Sequence, residues 1–136
     1  MSMKFFYGSH SLFSVHFHLV LVTKYRHKCI TPAMASRIDE LTREVCRNAR
    51  CEMLEANGEL DHRHFLLAAH PAIAPAKLVN AIKTNTSRLI RKEFAARLRP
   101  FYWKPVFWSR SYCIVSAGGA PLSIIKDYIR NQGGEA

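Results

Sequence analysis

The sequence predicts an α+β fold, in which helices pack on a mostly antiparallel sheet. Short segments rich in Val, Phe and Leu are typical of strands, whereas longer segments with apolar residues every three or four positions are typical of helices. These segments follow one another as strand, helix, two strands, helix, two strands, helix. The 136 residues are expected to form a single domain, residues 1–136.

The N-terminal half begins with a strand predicted over Ser14 to Thr23, which runs into the basic segment 24–28. Thr31-Pro32 is typical of a helix start, with Thr as the cap and Pro at the first helical position. A second strand is predicted at about Glu52 to Ala56, and Asn57-Gly58 predicts a turn after it. The helix between these strands carries one stripe to be buried: Met34, Ile38, Leu41 and Val45.

The third predicted strand contains Asp61-His62-Arg63-His64, followed by five apolar residues. Side chains alternate along a strand, so His62 and His64 should share one face, with Arg63 on the other. Two imidazoles on one face can hold a metal ion, but they can also simply be hydrogen-bonded. The pair His16 and His18 has the same spacing, and periodicity does not distinguish the two pairs.

The C-terminal half begins with a helix from Pro75, in which the weak helix formers 85–87 suggest a bend. Strands are predicted at Val106–Trp108 and Tyr112–Ser116. After the Gly118-Gly119 joint, a last helix should run from Pro121 to about Gln132. Tyr128 and Gln132 lie one turn apart on this helix, where such residues most often only pack or contact solvent.

Composition narrows the class of protein. A net charge of +10 and a pI near 9.9 favour a polyanionic partner, most simply nucleic acid. The four cysteines form no C-x-x-C pair, which argues against a disulfide framework or a cysteine zinc site. No apolar run reaches the roughly 18 residues of a membrane helix, and no signal peptide is recognised. A cytoplasmic protein with reduced thiols and no membrane partner is therefore expected.

Several motifs together resemble the single-tyrosine transposases of the insertion-sequence 200/605 family. Asp61-His62-Arg63-His64 resembles their His-hydrophobic-His motif, and Thr23-Lys24-Tyr25-Arg26 resembles their Lys-Tyr-Arg turn. Ile125 to Gln132 is similar to the helix that bears the tyrosine. The resemblance covers nearly the whole chain and implies a ferredoxin-like (RRM-like) antiparallel sheet. Arg63 departs from it, because the residue between the histidines is usually apolar.

The resemblance implies a role for several residues. Tyr128 would be the nucleophile that cleaves single-stranded DNA and forms a 5′-phosphotyrosine. His62, His64 and Gln132 would hold Mg²⁺ or Mn²⁺, whereas His18 matches a histidine that is not a ligand. It also implies hairpin recognition at element ends, and a homodimer whose first strands pair and whose active sites can be shared. Basic residues are the candidates for DNA contact: Lys24, Arg26, Lys83, Arg88, Arg91 and Lys92.

Two other functions remain open at this stage. One is a decayed or domesticated copy that binds single-stranded DNA or RNA without catalysis, which charge and aromatic residues support equally well. The other is a metal-dependent nuclease that uses water as its nucleophile. For Tyr25 and Trp108, stacking on unpaired bases competes with simple packing.

Overall fold

The computed structural model describes residues 6–7, 12–13, 15–117 and 122–131. In chain order, the strands and helices are β1 (Phe6–Tyr7), β2 (Leu12–Phe13), β3 (Val15–Thr23), α1 (Pro32–Arg47), β4 (Cys51–Glu59), β5 (His62–Ala69), α2 (Pro75–Glu93), α3 (Ala95–Leu98), β6 (Trp108–Ser116) and α4 (Leu122–Asn131). A short 3₁₀ turn, Lys24–Arg26, follows β3. No helix in these ranges is both long and apolar enough to cross a membrane.

The main sheet has the strand order β4-β5-β3-β6, and each pair of neighbours is antiparallel. The predicted α+β architecture is thus confirmed. Both edges of β3 are hydrogen-bonded within the chain, to β5 and to β6. The expectation that first strands pair between protomers is therefore wrong, because β3 has no free edge. The edges of the four-stranded sheet are β4 and β6.

One face of the sheet carries the main core, which α1 and α2 cover. Leu19 and Leu21 of β3 and Phe65 and Leu67 of β5 are fully buried there. Burying each such side chain contributes about 1.5–3 kcal/mol. The predicted stripe of α1 lies in this core, and its cap is confirmed, since the Thr31 hydroxyl accepts from the Met34 amide at 3.2 Å.

The opposite face carries a smaller apolar cluster, which α4 covers. Val20 and Val22 of β3 pack there with Ile125 of α4, and all three are buried. Tyr128 and Ile129 of α4 pack against this cluster from its side. Because α4 lies on the face opposite α1 and α2, the sheet is sandwiched between two layers of helix.

The structure corrects three local predictions. The strand β4 continues to Glu59, and the turn lies at Leu60 and Asp61 instead of Asn57-Gly58. Position 58 of this strand requires glycine, because a β-carbon there would lie 2.2 Å from the His62 carbonyl oxygen. The two strands predicted after residue 105 are one strand, β6, and α2 runs through residues 85–87 as one helix.

Candidate active site

His62 and His64 lie on the face that α4 covers, as strand alternation predicts. In the β3–β5 register, His62 pairs with Val22 and His64 with Val20, and both valines belong to the apolar cluster under α4. His62 is buried and His64 is half-buried. The two imidazoles therefore border a surface that is closed by the sheet on one side and by α4 on another.

Asp61 orients the first imidazole. His62 Nδ1 lies 2.9 Å from Asp61 Oδ1, and Arg26 Nε donates to Asp61 Oδ2 at 2.7 Å. Burial alone would raise the pKa of Asp61, but the hydrogen bonds from His62 and Arg26 outweigh it and lower that pKa. An ionised Asp61 places the His62 proton on Nδ1 and leaves Nε2 with a lone pair, which is what a metal requires.

His64 contacts a histidine from the competing pair. His18 Nδ1 and His64 Nε2 are 2.9 Å apart, and the ring centroids are 5.0 Å apart. Burial, together with the charges of His18 and His62, lowers the pKa of His64. His64 is therefore a neutral imidazole at pH 7, the form that ligates metal ions.

A carboxylate completes a possible set of ligands. Glu59, Asp61 and His62 each offer an atom, and these atoms lie within 4.8 Å of one another. Glu59 is the register partner of His62 across the β4–β5 pair and is exposed. Two imidazole nitrogens with a nearby carboxylate oxygen are a donor set that fits a divalent cation. Gln132, the predicted third ligand, lies outside the described residues.

Tyr128 lies on the same face of the sheet as the two histidines. Its hydroxyl oxygen is 3.0 Å from Ser111 Oγ, and its ring packs against the cluster of Val20, Val22 and Ile125. Cys113, two residues beyond Ser111 on β6, pairs with Val20, which in turn pairs with His64. Tyr128 is thus anchored over β6, two strand spacings or about 10 Å from the strand of the histidines.

The turn after β3 holds Arg26 in a strained conformation. Tyr25 and Arg26 have φ angles of 58° and 53°, a region that costs a non-glycine residue about 1–2 kcal/mol. The turn is anchored by the Lys24 amide, which donates to the Phe107 carbonyl at 2.8 Å, and by the Tyr102 hydroxyl, which donates to the Lys24 carbonyl at 2.6 Å. Such anchored strain is typical of functional positions.

The predicted DNA-contact residues fall into two groups. Lys24 and Arg26 lie in the turn beside Asp61, close to the histidines. The other four are on α2, which covers the opposite face of the sheet: Lys83, Arg88, Arg91 and Lys92. Lys83 Nζ donates to the carbonyls of Ser109 and Arg110 at 2.8 and 3.0 Å, so it also fastens α2 to β6.

The arginine inside the histidine motif has a structural explanation. Arg63 points to the core face, where Nε and Nη2 donate to the Asp39 carboxylate on α1 at 3.1 and 2.5 Å. Its side chain is 8% exposed. Burial raises the pKa of Asp39, and the Arg63 charge offsets this only in part. Arg63 therefore ties β5 to α1 and leaves the imidazole face unchanged.

Comparison with known proteins identifies the family. The profile of the family described as "Transposase IS200 like" matches residues 11–132. The chain belongs to this family. It is 26% identical over 125 residues to the ISDra2 transposase TnpA of Deinococcus radiodurans, covering 92% of this chain and 89% of that one. It is also 27% identical to the IS200 transposase of Salmonella typhimurium, covering 91% and 80% of the two chains.

Solved structures agree with the family. A crystal structure of a putative transposase from Deinococcus radiodurans superposes with a TM-score of 0.82 at 25% identity, covering 96% of this chain and 98% of that one. A REP-associated tyrosine transposase bound to a REP hairpin has a TM-score of 0.56 at 9% identity, covering 85% and 62%. The second likeness shows a shared fold alone. The chain is thus an IS200-like transposase, whose family acts on DNA.

Sequence reasoning missed two residues of interest. Glu59 was not predicted as a ligand, because the predicted strand ends before it, at Ala56. In the structure β4 continues to Glu59, which brings this residue into register with His62. Trp103 received no role from the sequence, yet it is 95% exposed. Trp108, considered for base stacking, is instead buried and donates to the Thr86 hydroxyl at 2.9 Å.

Proposed function

We propose that this IS200-like transposase cleaves and rejoins single-stranded DNA through a covalent 5′-phosphotyrosine on Tyr128. The observation that carries the proposal is that Tyr128 and the pair His62 and His64 share one face of the sheet. The substrate would be the hairpin-bearing ends of its own element, and the working unit a cytoplasmic homodimer. In the four-stranded sheet, β4 and β6 are the edges available for pairing protomers.

The chemistry follows from the side chains. The Tyr128 oxygen attacks the scissile phosphorus, the P–O3′ bond breaks, and the phenolic proton is balanced by the proton taken up at the 3′-oxygen. A free phenol has a pKa near 10 and is a weak nucleophile without help. His62, His64 and Gln132 would hold Mg²⁺ or Mn²⁺, which when bound withdraws charge from the phosphate. The phosphotyrosine conserves the bond energy, so rejoining needs no ATP.

The third ligand can be tested against the carboxylate that lies near His62. We expect Gln132→Ala to weaken Mn²⁺ binding about tenfold, as loss of one ligand should, and Glu59→Ala to weaken it less. Titration calorimetry of the DNA-free protein measures both affinities. The reverse order would assign the third position to Glu59 in place of Gln132.

The proposed nucleophile is tested with a single-stranded oligonucleotide that carries the element end, in the presence of Mn²⁺. The wild-type protein should form an adduct that survives a denaturing gel, and Tyr128→Phe should form none. Tyr112→Phe is the matched control, because Tyr112 lies on β6 next to Ser111 but packs with the main core on the opposite face. It should form adduct at the wild-type level.

The position of the label on the oligonucleotide shows which DNA fragment becomes linked to the protein. A label on the 3′ end of the oligonucleotide should migrate with the protein, because the tyrosine holds the 5′-phosphate of that fragment. An adduct that persists in Tyr128→Phe would refute the assignment. Cleavage without any adduct would indicate the water-dependent nuclease, and binding without cleavage would indicate the non-catalytic binding module.

A further inference from the structure

A continuous chain of hydrogen bonds joins α4 to the first histidine. Arg26 Nη1 donates to the Arg130 carbonyl of α4 at 3.0 Å, and Arg26 Nε donates to Asp61 Oδ2 at 2.7 Å. The other carboxylate oxygen of Asp61 lies 2.9 Å from His62 Nδ1. A single guanidinium therefore contacts both the helix that carries Tyr128 and the carboxylate that orients His62.

We propose that Arg26 is a positioning residue that couples the docking of α4 to the orientation of the His62 imidazole. The planar guanidinium presents donors in two directions at once, which a lysine ammonium on a flexible stem cannot reproduce. The acceptor on α4 is a carbonyl in its last turn, where cations interact favourably with the helix dipole. Tyr25 and Arg26 adopt left-handed conformations in this turn, from which the Arg26 side chain reaches both acceptors.

Two consequences follow from this coupling. When α4 is docked, Arg26 holds Asp61 in place, and Asp61 in turn keeps its contact with His62 Nδ1. When α4 leaves, Arg26 loses one of its two partners and Asp61 is less well held. By thermodynamic reciprocity, whatever orders Asp61 and His62 also favours the docked helix.

The first test needs neither metal nor DNA, so it is independent of the proposed cleavage chemistry. In the presence of EDTA, Arg26→Ala should speed amide hydrogen exchange of residues 125–131 about tenfold, while exchange in α1 stays unchanged. Arg130→Ala is the matched control, because it removes the side chain but keeps the carbonyl that Arg26 contacts. Unchanged exchange in Arg26→Ala, or equal acceleration in Arg130→Ala, would overturn the proposal.

The second test measures metal affinity in a Gln132→Ala background, so that the proposed third ligand does not contribute to any difference between the variants. There, Arg26→Ala should weaken Mn²⁺ binding about tenfold, the usual effect of losing an outer partner of a ligating histidine. Arg26→Lys keeps the charge and replaces the alanine variant if that variant does not fold. It should show both the faster amide exchange of residues 125–131 and the weaker Mn²⁺ binding. An Mn²⁺ affinity equal to that of Gln132→Ala alone would overturn the coupling to His62. Wild-type protein that binds no Mn²⁺ would refute the proposed metal site and leave the first test valid.

An independent observation concerns Trp103, in the segment between α3 and β6. Three adjacent clefts of about 300 to 500 Å³ share Tyr102 and Trp103 in their walls. Among the described residues that line them, none is acidic, and the basic ones are Lys24, His27, Arg91, Arg99, Lys104 and Arg110. The segment is anchored, because the amides of Phe101 and Tyr102 both donate to the Leu98 carbonyl at 2.9 Å.

We infer that Trp103 is a stacking platform for an unpaired nucleotide of the DNA. An exposed indole on a fixed segment offers a π-face at little entropic cost, and the surrounding cations suit the phosphates on either side. Lys24 lines one of these clefts and precedes Arg26 in the turn beside Asp61, so a strand bound here would lead towards the histidines. This inference rests on DNA as the partner but not on cleavage.

Binding is measured with Tyr128→Phe protein, so that no covalent product forms. Trp103→Ala should weaken binding of a single-stranded oligonucleotide about tenfold, Trp103→Tyr should restore most of it, and a blunt duplex should lose little affinity. Lys104→Ala should reduce the salt dependence without this selectivity. The assignment would be overturned if Trp103→Ala lost the same affinity for both forms of DNA or lost affinity for neither. A changed oligomeric state of Trp103→Ala would also overturn it.

Discussion

At the scale of single residues, the site depends on side chains that fix other side chains. Asp61 holds His62, His18 contacts His64, and Ser111 contacts Tyr128. The contacts of His64 and Tyr128 cannot be recognised from the sequence, because the first joins two strands and the second joins a strand to a helix, whereas Asp61 directly precedes His62 in the chain. The histidine faces were predictable from alternation alone, whereas the ion pair of Arg63 needed the position of α1.

The ion pair of Arg63 and Asp39 gives a stability prediction. Asp39→Leu leaves the buried Arg63 without its partner and should lower the free energy of unfolding by roughly 3 kcal/mol, whereas Arg63→Leu leaves the half-buried Asp39 and should cost less. The double variant should lie close to the wild type, because burial of two charges offsets most of their attraction. Urea denaturation measures all four proteins. A double variant as unstable as the sum of the singles would contradict this view.

Gly58 gives a second prediction at this scale. A methyl group at this position would meet the His62 carbonyl oxygen at 2.2 Å, and φ is 154°. Gly58→Ala should therefore shift the β5 backbone at His62 and weaken Mn²⁺ binding, whereas Ala56→Gly on the same strand should not. Calorimetric titration with Mn²⁺ compares the two variants, and equal affinities would refute a role for Gly58 in placing His62.

At the scale of elements, α2 contains a segment that the sequence predicts to bend but that is helical in the structure. Residues 85–87 are weak helix formers, yet the Thr86 hydroxyl donates to the Ile82 carbonyl at 2.7 Å and accepts from the Trp108 indole at 2.9 Å. Thr86→Val should leave the buried indole N–H unpaired and cost about 1–3 kcal/mol of stability. Thr84→Val, at an exposed position of the same helix, is the control. Equal losses of stability in Thr86→Val and Thr84→Val, measured by thermal unfolding, would contradict this role of Thr86.

The docking of α4 can be followed through a cysteine. Cys113 packs beneath α4 with Val20 and Val22, whereas Cys29, Cys46 and Cys51 are buried in the main core. Ile125→Ala removes the buried anchor of α4, so Cys113 should react faster with a thiol reagent while the other cysteines stay protected. Lys126→Ala, on the exposed side, should leave the rate unchanged. Equal labelling rates in the two variants would mean that Ile125 does not hold the helix.

At the scale of the whole molecule, the order of elements and the α+β class could be predicted, because hydrophobic periodicity reports which faces are buried. The order of strands in the sheet could not, since β3 pairs with β5 and β6 through contacts distant in sequence. The expected pairing of first strands failed for this reason. The basic charge was visible in the composition, but not that Arg26 of the turn contacts both Asp61 and α4 while other basic residues lie on α2.

The charge distribution predicts how DNA binding depends on salt. Lys24 lies in the turn whose Arg26 contacts Asp61, so Lys24→Ala should reduce the slope of log affinity against log salt by about 0.7, the value for one phosphate contact on a single strand. Lys77→Ala, near the start of α2 on the opposite face, removes the same charge and should leave the slope unchanged. Fluorescence anisotropy at several salt concentrations measures both. Equal slopes for the two variants would show that only net charge matters.

The central claim is that Tyr128 becomes covalently linked to DNA. Trypsin should release it in the short peptide Asp127 to Arg130, because Lys126 and Arg130 precede the two cleavage sites and Tyr128 is its one tyrosine. Mass spectrometry of the nuclease-treated adduct should find the 5′-nucleotide on this peptide. A nucleotide on a peptide carrying any other tyrosine, or an adduct with this peptide unmodified, would contradict the account.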